Sequence, residues 1–344
     1  MTTVRSSRFR ASLPVVAGAL LASLALASDD PVDRPAEPAR LAAHALLLDV
    51  AAAGKRLVAV GMRGHILWSD DGGQTWTQSE SVPVRALLTG VCFFDGEHGI
   101  AVGHDEVILV TRDAGSTWQR SRYAPEAQRP LLDVWCGPGG RSLAVGAYGA
   151  FFLSEDGGAT WQEAAFEPVA REDDSQEEAF DDLGGGYHLN ALVPASPERL
   201  YIAAEGGHLY RSDDAGQTWI ELPSPYEGSF FGLLPLSTDA VLAFGLRGRL
   251  FASNDGGMSW RRIETDTQAM LTDAVRLQDG RVVIVGLAGT VLIGNVDADH
   301  YELRQQDDRK GLAAVVAVEP ETLVVAGEAG VRRIHLGRQA GARP

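Results

Sequence analysis

Four arginines, Arg63, Arg85, Arg129 and Arg247, stand in short links between strand-like runs. Side chains of this type, if brought together, clamp a carboxylate through paired N–H donors. Ordinary surface ion pairs are the plain alternative for each of them. Five carboxylates, Asp105, Asp133, Glu205, Asp273 and Glu328, are the residues from which an acid–base or nucleophile pair for glycoside cleavage would be drawn. The alternative is that each is isolated and solvated. The eight histidines show no metal-ligand spacing. Gly-rich stretches such as Asp71-Gly72-Gly73 lack a Gly-Lys-Thr element and a following helix, so they read as turns rather than phosphate cradles. Neither a metal nor a cofactor is expected.

What could position these residues is an internal repeat. SDDGGQTW, TRDAGSTW, SEDGGATW, SDDAGQTW and SNDGGMSW start at residues 69, 111, 154, 212 and 253, so successive starts lie 42, 43, 58 and 41 residues apart. Five of the seven tryptophans, Trp76, Trp118, Trp161, Trp219 and Trp260, close these segments. The aspartates Asp71, Asp113, Asp156, Asp214 and Asp255 can each accept backbone N–H groups a few residues on and so close a tight turn. The glycine two residues later allows positive φ. The tryptophan opens the next strand with a large apolar surface.

A second signature precedes each turn. VAVGMRGHIL (58–67), IAVGHDEVIL (100–109), LAVGAYGAFF (143–152), IAAEGGHLYR (202–211), LAFGLRGRLF (242–251), VIVGLAGTVL (283–292) and VVAGEAGVRR (324–333) make seven copies, two more than the Trp-ended motif. Each repeat reads as strand, turn, strand, Gly turn, strand, Asp turn, strand. A period near 42 with this punctuation predicts an all-β protein, a seven-bladed β-propeller of four-stranded antiparallel blades. The seventh copy lacks a clear fourth strand, so Ala36 to Ala45 is expected to complete the outer edge of the last blade and close the ring.

Strand parity then divides the loops. The Gly turns and inter-blade loops share one face, and the Asp turns lie on the other. The face opposite the Asp turns is expected to meet a partner through Arg63, Arg85, His104, Tyr148, Glu205, Phe230, Phe231 and Arg247. Tyr187, His188, Arg309 and Lys310 lie on the same side. The third inter-blade loop is the longest, with eight acidic residues between Glu167 and Asp182 against one Arg171. It reads as a solvated flap, or as a docking arm for a basic partner. Cys92 and Cys136 sit near the ends of consecutive inner strands, and whether they face one another turns on a single residue of register.

Residues 1–27 read as an export leader, with Arg5, Arg8 and Arg10 ahead of an apolar run that ends in Ala25-Leu26-Ala27. No cysteine at the expected cut would take a lipid. Removal changes the whole-chain balance of 30 basic and 46 acidic residues to 27 and 46, which argues against nucleic acid or anionic lipid as partner. The expected layout is a leader (1–27), a flexible segment (28–35), the propeller (36–337, with its acidic insertion at 167–186) and a short tail (338–344). A monomeric, periplasmic or otherwise exported protein is anticipated.

The second copy, LLTGVCFFDGEHGIAVGHDEVILVTRDAGSTWQ (87–119), resembles the repeat of the photosystem II assembly and stability factor family, and more broadly the Asp-box repeats of sialidases. The resemblance covers about residues 45–337. It implies an exported seven-bladed propeller, without enzymatic activity, that binds a membrane protein during its assembly. The arginine patch of the plastid and cyanobacterial members has no obvious counterpart here. The competing expectation is a carbohydrate-active hydrolase or glycan-binding protein, in which Tyr148, Glu205 and Asp105 would be drafted as nucleophile pair and acid. No Phe-Arg-Ile-Pro segment precedes the repeats to support it.

Overall fold

A computed structural model describes residues 33–169 and 186–337. The leader, most of the acidic insertion and the C-terminal tail therefore lie outside the described residues. Within them, regular structure consists of antiparallel strands and short 3-10 turns, arranged as seven successive sheets in chain order. The inner strands are Leu47–Ala53, Leu88–Phe93, Leu131–Cys136, Leu189–Pro194, Phe230–Pro235, Leu271–Arg276 and Leu312–Glu319. Each lies beside the inner strands of the blades before and after it, and the first touches the last, so the ring is closed.

The second strand of each blade explains why these sequences show little alternation. Val58, Ala59 and Val60, and likewise Val283, Ile284 and Val285, are all fully buried, because neighbouring blades cover both sheet faces. One apolar cluster fills each gap between blades. Between blades 1 and 2 it joins Val58, Val60 and Ile66 to Leu88, Leu109 and Trp118. Between blades 7 and 1 it joins Val324, Ala326 and Val331 to Leu47, Leu57 and Ala59.

The Asp turns set the spacing of these clusters. In blade 2, Asp113 Oδ1 accepts from the Thr117 amide at 2.8 Å and the Thr111 hydroxyl at 2.8 Å. Its Oδ2 accepts from the Thr117 hydroxyl at 2.6 Å, and the Gly115 amide donates to Thr111 Oγ1 at 3.0 Å. The same bonds recur at Asp71, Asp156, Asp214 and Asp255. Each tryptophan that follows wedges against the preceding blade: Trp76 joins the cluster shared with blade 7, Trp118 that with blade 1 and Trp219 that with blade 3. Gly115, at φ +81°, leaves little room for a side chain, since a Cβ there would lie 3.2 Å from Val58 of blade 1. In blade 6, where the motif is lost, the fully buried Tyr301 fills the equivalent gap.

Six blades have four strands and the seventh has three. The expected strand from Ala36 to Ala45 does not form. That segment is instead an arm of extended chain and a 3-10 turn (Ala42–His44). Ala36 donates its amide to Val82 of blade 1, and Gln78 grips the arm through Glu37 O and the Ala39 amide, each at 2.9 Å. The arm still joins the ring's ends, because Ala42 is buried in the cluster between blades 7 and 1. It does so by packing and not by a shared ladder, since its backbone amides bond to Val82, to the Gln78 side chain and within the arm's own turn.

Two inter-blade links lie near the axis. Cys92 and Cys136 form a disulfide between blades 2 and 3, at a sequence separation of 44. Asp49, Asp133 and Asp273 occupy equivalent places in inner strands 1, 3 and 6. Each carboxyl takes one amide from its own strand and one from the next blade: Val91 at 2.8 Å, Leu192 at 2.7 Å and Val315 at 2.7 Å. The matching residue of the next blade is Gly90, Ala191 or Ala314, small enough to leave room for the bridge. Enclosure by the ring raises these acids to about 6 for Asp49, about 7 for Asp133 and about 8 for Asp273. The negative charge of Asp49 adds to the rise at Asp133 and Asp273.

Opening the disulfide with Cys92→Ser and Cys136→Ser should lower unfolding free energy by about 2–4 kcal/mol, as cross-linking a loop of this length implies. Chemical denaturation of the double variant checks this, and an unchanged midpoint would contradict the bridge. A second expectation concerns pH. Between the unfolded value near 4 and the raised folded values, the three inner aspartates bind more protons folded than unfolded, so their contribution is full at low pH and lost as pH rises towards 8. Asp71, Asp156 and Asp255 act oppositely. Hydroxyl and amide donors, led by the Thr75, Thr160 and Ser259 hydroxyls, hold them at about 2, so their contribution is lost below about pH 4. Denaturation midpoints should peak near about pH 5 and fall by about pH 8, and Asp273→Asn should flatten the upper limb.

Candidate functional site

On the face opposite the Asp turns, the second and third strands of each blade join through a tight Gly turn. In six blades its middle residue sits in the left-handed region, which glycine enters freely and other residues enter at a cost of about 1–2 kcal/mol. Blade 4 places Gly206 there. Five blades do not: Arg63 (φ 56°), Asp105 (φ 60°), Tyr148 (φ 55°), Arg247 (φ 57°) and Ala288 (φ 55°) hold the strained position. The side chains of Arg63, Tyr148 and Arg247, in blades 1, 3 and 5, stand exposed at these tips. Strain held at an exposed tip is a reason to ask what its side chain does.

Each inner strand begins beside these turns with one extra residue, shown by a step in register between Leu88 and Gly90 and at the matching place in the other blades. Such a bulge re-aims a side chain and ends regular pairing. Three bulge residues tie the rim together. Thr89 Oγ1 donates to Leu131 O at 2.7 Å, Asn190 Nδ2 to Phe230 O at 2.8 Å and Thr272 Oγ1 to Leu312 O at 2.8 Å.

The bulge also corrects one expected partner residue. Phe231 is the extra residue of blade 5 and is half-buried at the rim. Phe230 is fully buried between blades 4 and 5, packed with Phe251 and Leu209, and offers no surface. The remaining expected residues stand on the face. His104 and Glu205 are exposed and Arg85 is half-buried.

Some of these residues converge and others do not. Tyr148 packs edge-on against His188 with ring centres 4.8 Å apart, and the His188 ring approaches Glu205 at 3.8 Å. Beside them Tyr187 lies against His208 at 3.8 Å, and His208 bonds Glu221 at 2.6 Å. Arg63 and Arg85 line one pocket together with the buried His65. Arg129 belongs to neither group. It donates to the fully buried Glu106 at 2.7 Å and to Glu163 at 2.8 Å, while Arg122 holds the other oxygen of Glu106. It is a structural arginine of the blade 2–3 junction.

The acids considered for hydrolysis fall into different settings of the fold. Asp133 and Asp273 are engaged in inter-blade amide bonds on the inner strands. Tyr148 meets His188, and it is His188 that approaches Glu205. Sequence reasoning missed the amide bridging of Asp49, Asp133 and Asp273, whose only trace is an aspartate in one inner strand and a small residue at the same place in the next. It also missed His65, which no spacing rule singles out.

Residues 29–170, which span the first three blades, match the family described as Photosynthesis system II assembly factor YCF48. Among solved structures, "YCF48 bound to D1 peptide" is similar at 16% identity and a TM-score of 0.66, covering 86% of this chain and 95% of that one. YCF48 from Cyanidioschyzon merolae is similar at 18% identity and 0.63, with coverage of 86% and 95%. The WD40 β-propeller domain of Doa1 is similar at 12% identity and 0.65, with coverage of 90% and 97%. No curated protein matches. Over its first three blades the chain is similar to the photosystem II assembly factor family, and over most of its length it shares the propeller fold of these structures.

The strained tips lead to a test that separates stability from recognition. Tyr148→Gly and Arg247→Gly should raise unfolding free energy by up to about 1 kcal/mol by relieving the left-handed backbone. The corresponding alanine variants, equally strained, should leave it nearly unchanged. Thermal melts of the four variants check this, and destabilised glycine variants would show that the tip side chains serve packing instead.

Proposed function

We propose that this protein is an exported, non-enzymatic scaffold or assembly factor whose Gly-turn face binds a membrane-protein partner. The observation that carries the reading is the set of exposed side chains held at left-handed tips in alternate blades, where glycine would fold more easily. A closed ring suits this task, because the strands keep the tips in fixed relative positions and little ordering cost falls on binding. Two findings support it: the family match over residues 29–170, and the likeness in fold to a relative described as bound to a D1 peptide. The exposed Tyr148, the half-buried Phe231 and the charged Arg63, Arg247 and Glu205 give the mixed apolar and polar character of a protein-binding surface. A carbohydrate substrate would want two acids across a cleft. Here the inner-strand aspartates are bonded into the ring.

Affinity capture from a detergent extract of membranes, with the mature chain as bait, tests the reading. A membrane protein should be recovered by the wild type and lost when Arg63, Arg247 and Phe231 are replaced together by alanine. A variant altered on the opposite face, Met258→Ser, should retain it. Equal recovery by all three baits would place the binding surface elsewhere.

A further inference from the structure

We infer that the pocket between the blade 1 tip and the loop joining blades 1 and 2 is a carboxylate-binding site for an extended acidic peptide, and that the chain's own N-terminal arm, which forms one of its walls, already sets a carboxylate on Arg85 as a stand-in. Its biological use rests on the partner face proposed above, but its geometry stands apart from that reading.

The pocket encloses about 210 Å3 and is lined by Glu37, Pro38, Ala39, Arg63, His65 and Arg85. Two guanidinium groups from different loops thus share one small space. Arg85 Nη2 donates to Glu37 Oε1 at 2.6 Å and its Nε to Pro35 O at 3.0 Å, a pairing that reads a carboxylate and the backbone beside it together. Arg63 has no hydrogen-bond or ion-pair partner among the described residues. At the wall, His65 is only 6% exposed, yet its buried Nδ1 meets no partner. An unsatisfied polar atom in such a place is costly unless something supplies a bond. Burial, aided by the charge of Arg63, lowers the pKa of this histidine, so the neutral ring presents one donor and one acceptor.

The arm's own carboxylate identifies the class of ligand. Glu37 lies between Pro35 and Pro38, which hold the arm extended, and its carboxylate reaches Arg85 while Arg63 stays open. Its side chain is 74% exposed, and exposed ion pairs of this kind are weakly held. A partner segment that offers an acidic side chain on extended backbone can therefore take the same place and also engage Arg63. The arm would then act as a competitor that partner binding displaces.

The test uses the full chain and, as probe, a fluorescein-labelled peptide of the arm's own sequence, Asp-Arg-Pro-Ala-Glu-Pro-Ala-Arg, followed by fluorescence anisotropy. Glu37→Gln should bind the probe up to about fivefold more tightly than wild type, the most that removing one exposed ion pair releases. A probe with glutamine in place of its glutamate should lose that gain, and adding Arg85→Ala to Glu37→Gln should abolish binding while the thermal melt remains cooperative. Equal affinity for wild type and Glu37→Gln would overturn the inference. So would binding indifferent to Arg85→Ala, or the absence of saturable binding. Because no partner enters the assay, these outcomes are read independently of the capture experiment.

Discussion

No blade of this protein can bury its own faces. A four-stranded sheet with apolar side chains above and below is stable only between two others, and a row of such sheets ends this dependence by closing into a ring. The Trp wedge and the Asp turn are the local means of meeting that constraint. The turn is saturated with bonds to a single carboxylate, which fixes where the indole points. The indole in turn fixes the distance to the preceding blade. Because each wedge belongs to one blade and packs on the one before, the fold is assembled from nearest-neighbour contacts around a circle.

The same constraint decides where polar groups may lie. Inner strands sit closest together, so small residues alternate there with groups that bond across the gap. Asp49, Asp133 and Asp273 each bridge to an amide of the following blade opposite a glycine or alanine, and a disulfide ties blades 2 and 3. Carboxyls enclosed in this way gain protons, while those in the outer turns, surrounded by donors, lose them. Two sets of aspartates within one repeat family therefore respond to pH in opposite directions.

Much of this was legible in the sequence because it is local. A turn of Asp, Gly, Thr and Trp carries its own hydrogen-bond partners within five residues, and seven copies of the Gly turn count the blades directly. What escaped depends on a neighbour. The Phe230-Phe231 pair could not be resolved because a bulge shifts the in–out alternation by one residue, burying Phe230 and leaving Phe231 at the rim. The bridging role of Asp133 requires knowing that Leu192 of another blade lies opposite. The arm escaped for a related reason. A segment held by the side chains of Gln78 and Arg85 has no periodicity of its own, so a missing fourth strand in blade 7 was read as a vacancy for it.

The division between faces follows from the same physics. Asp turns pack against the first hairpin of their own or a neighbouring blade, as when the Ala114 amide donates to Glu97 O and the Gly157 amide to Gly140 O, so that face has little freedom to vary. Gly turns need only a tight reversal, and the residue at the tip touches little beneath it. Glycine is the residue that backbone energy alone would choose at every tip, as blade 4 shows with Gly206. Arginine, tyrosine, aspartate and alanine hold that position in five other blades and weaken the fold slightly. A ring whose stability resides in its inter-blade gaps can tolerate that loss at several tips at once, which is what allows one face to be built for contact while the other holds the blades in place.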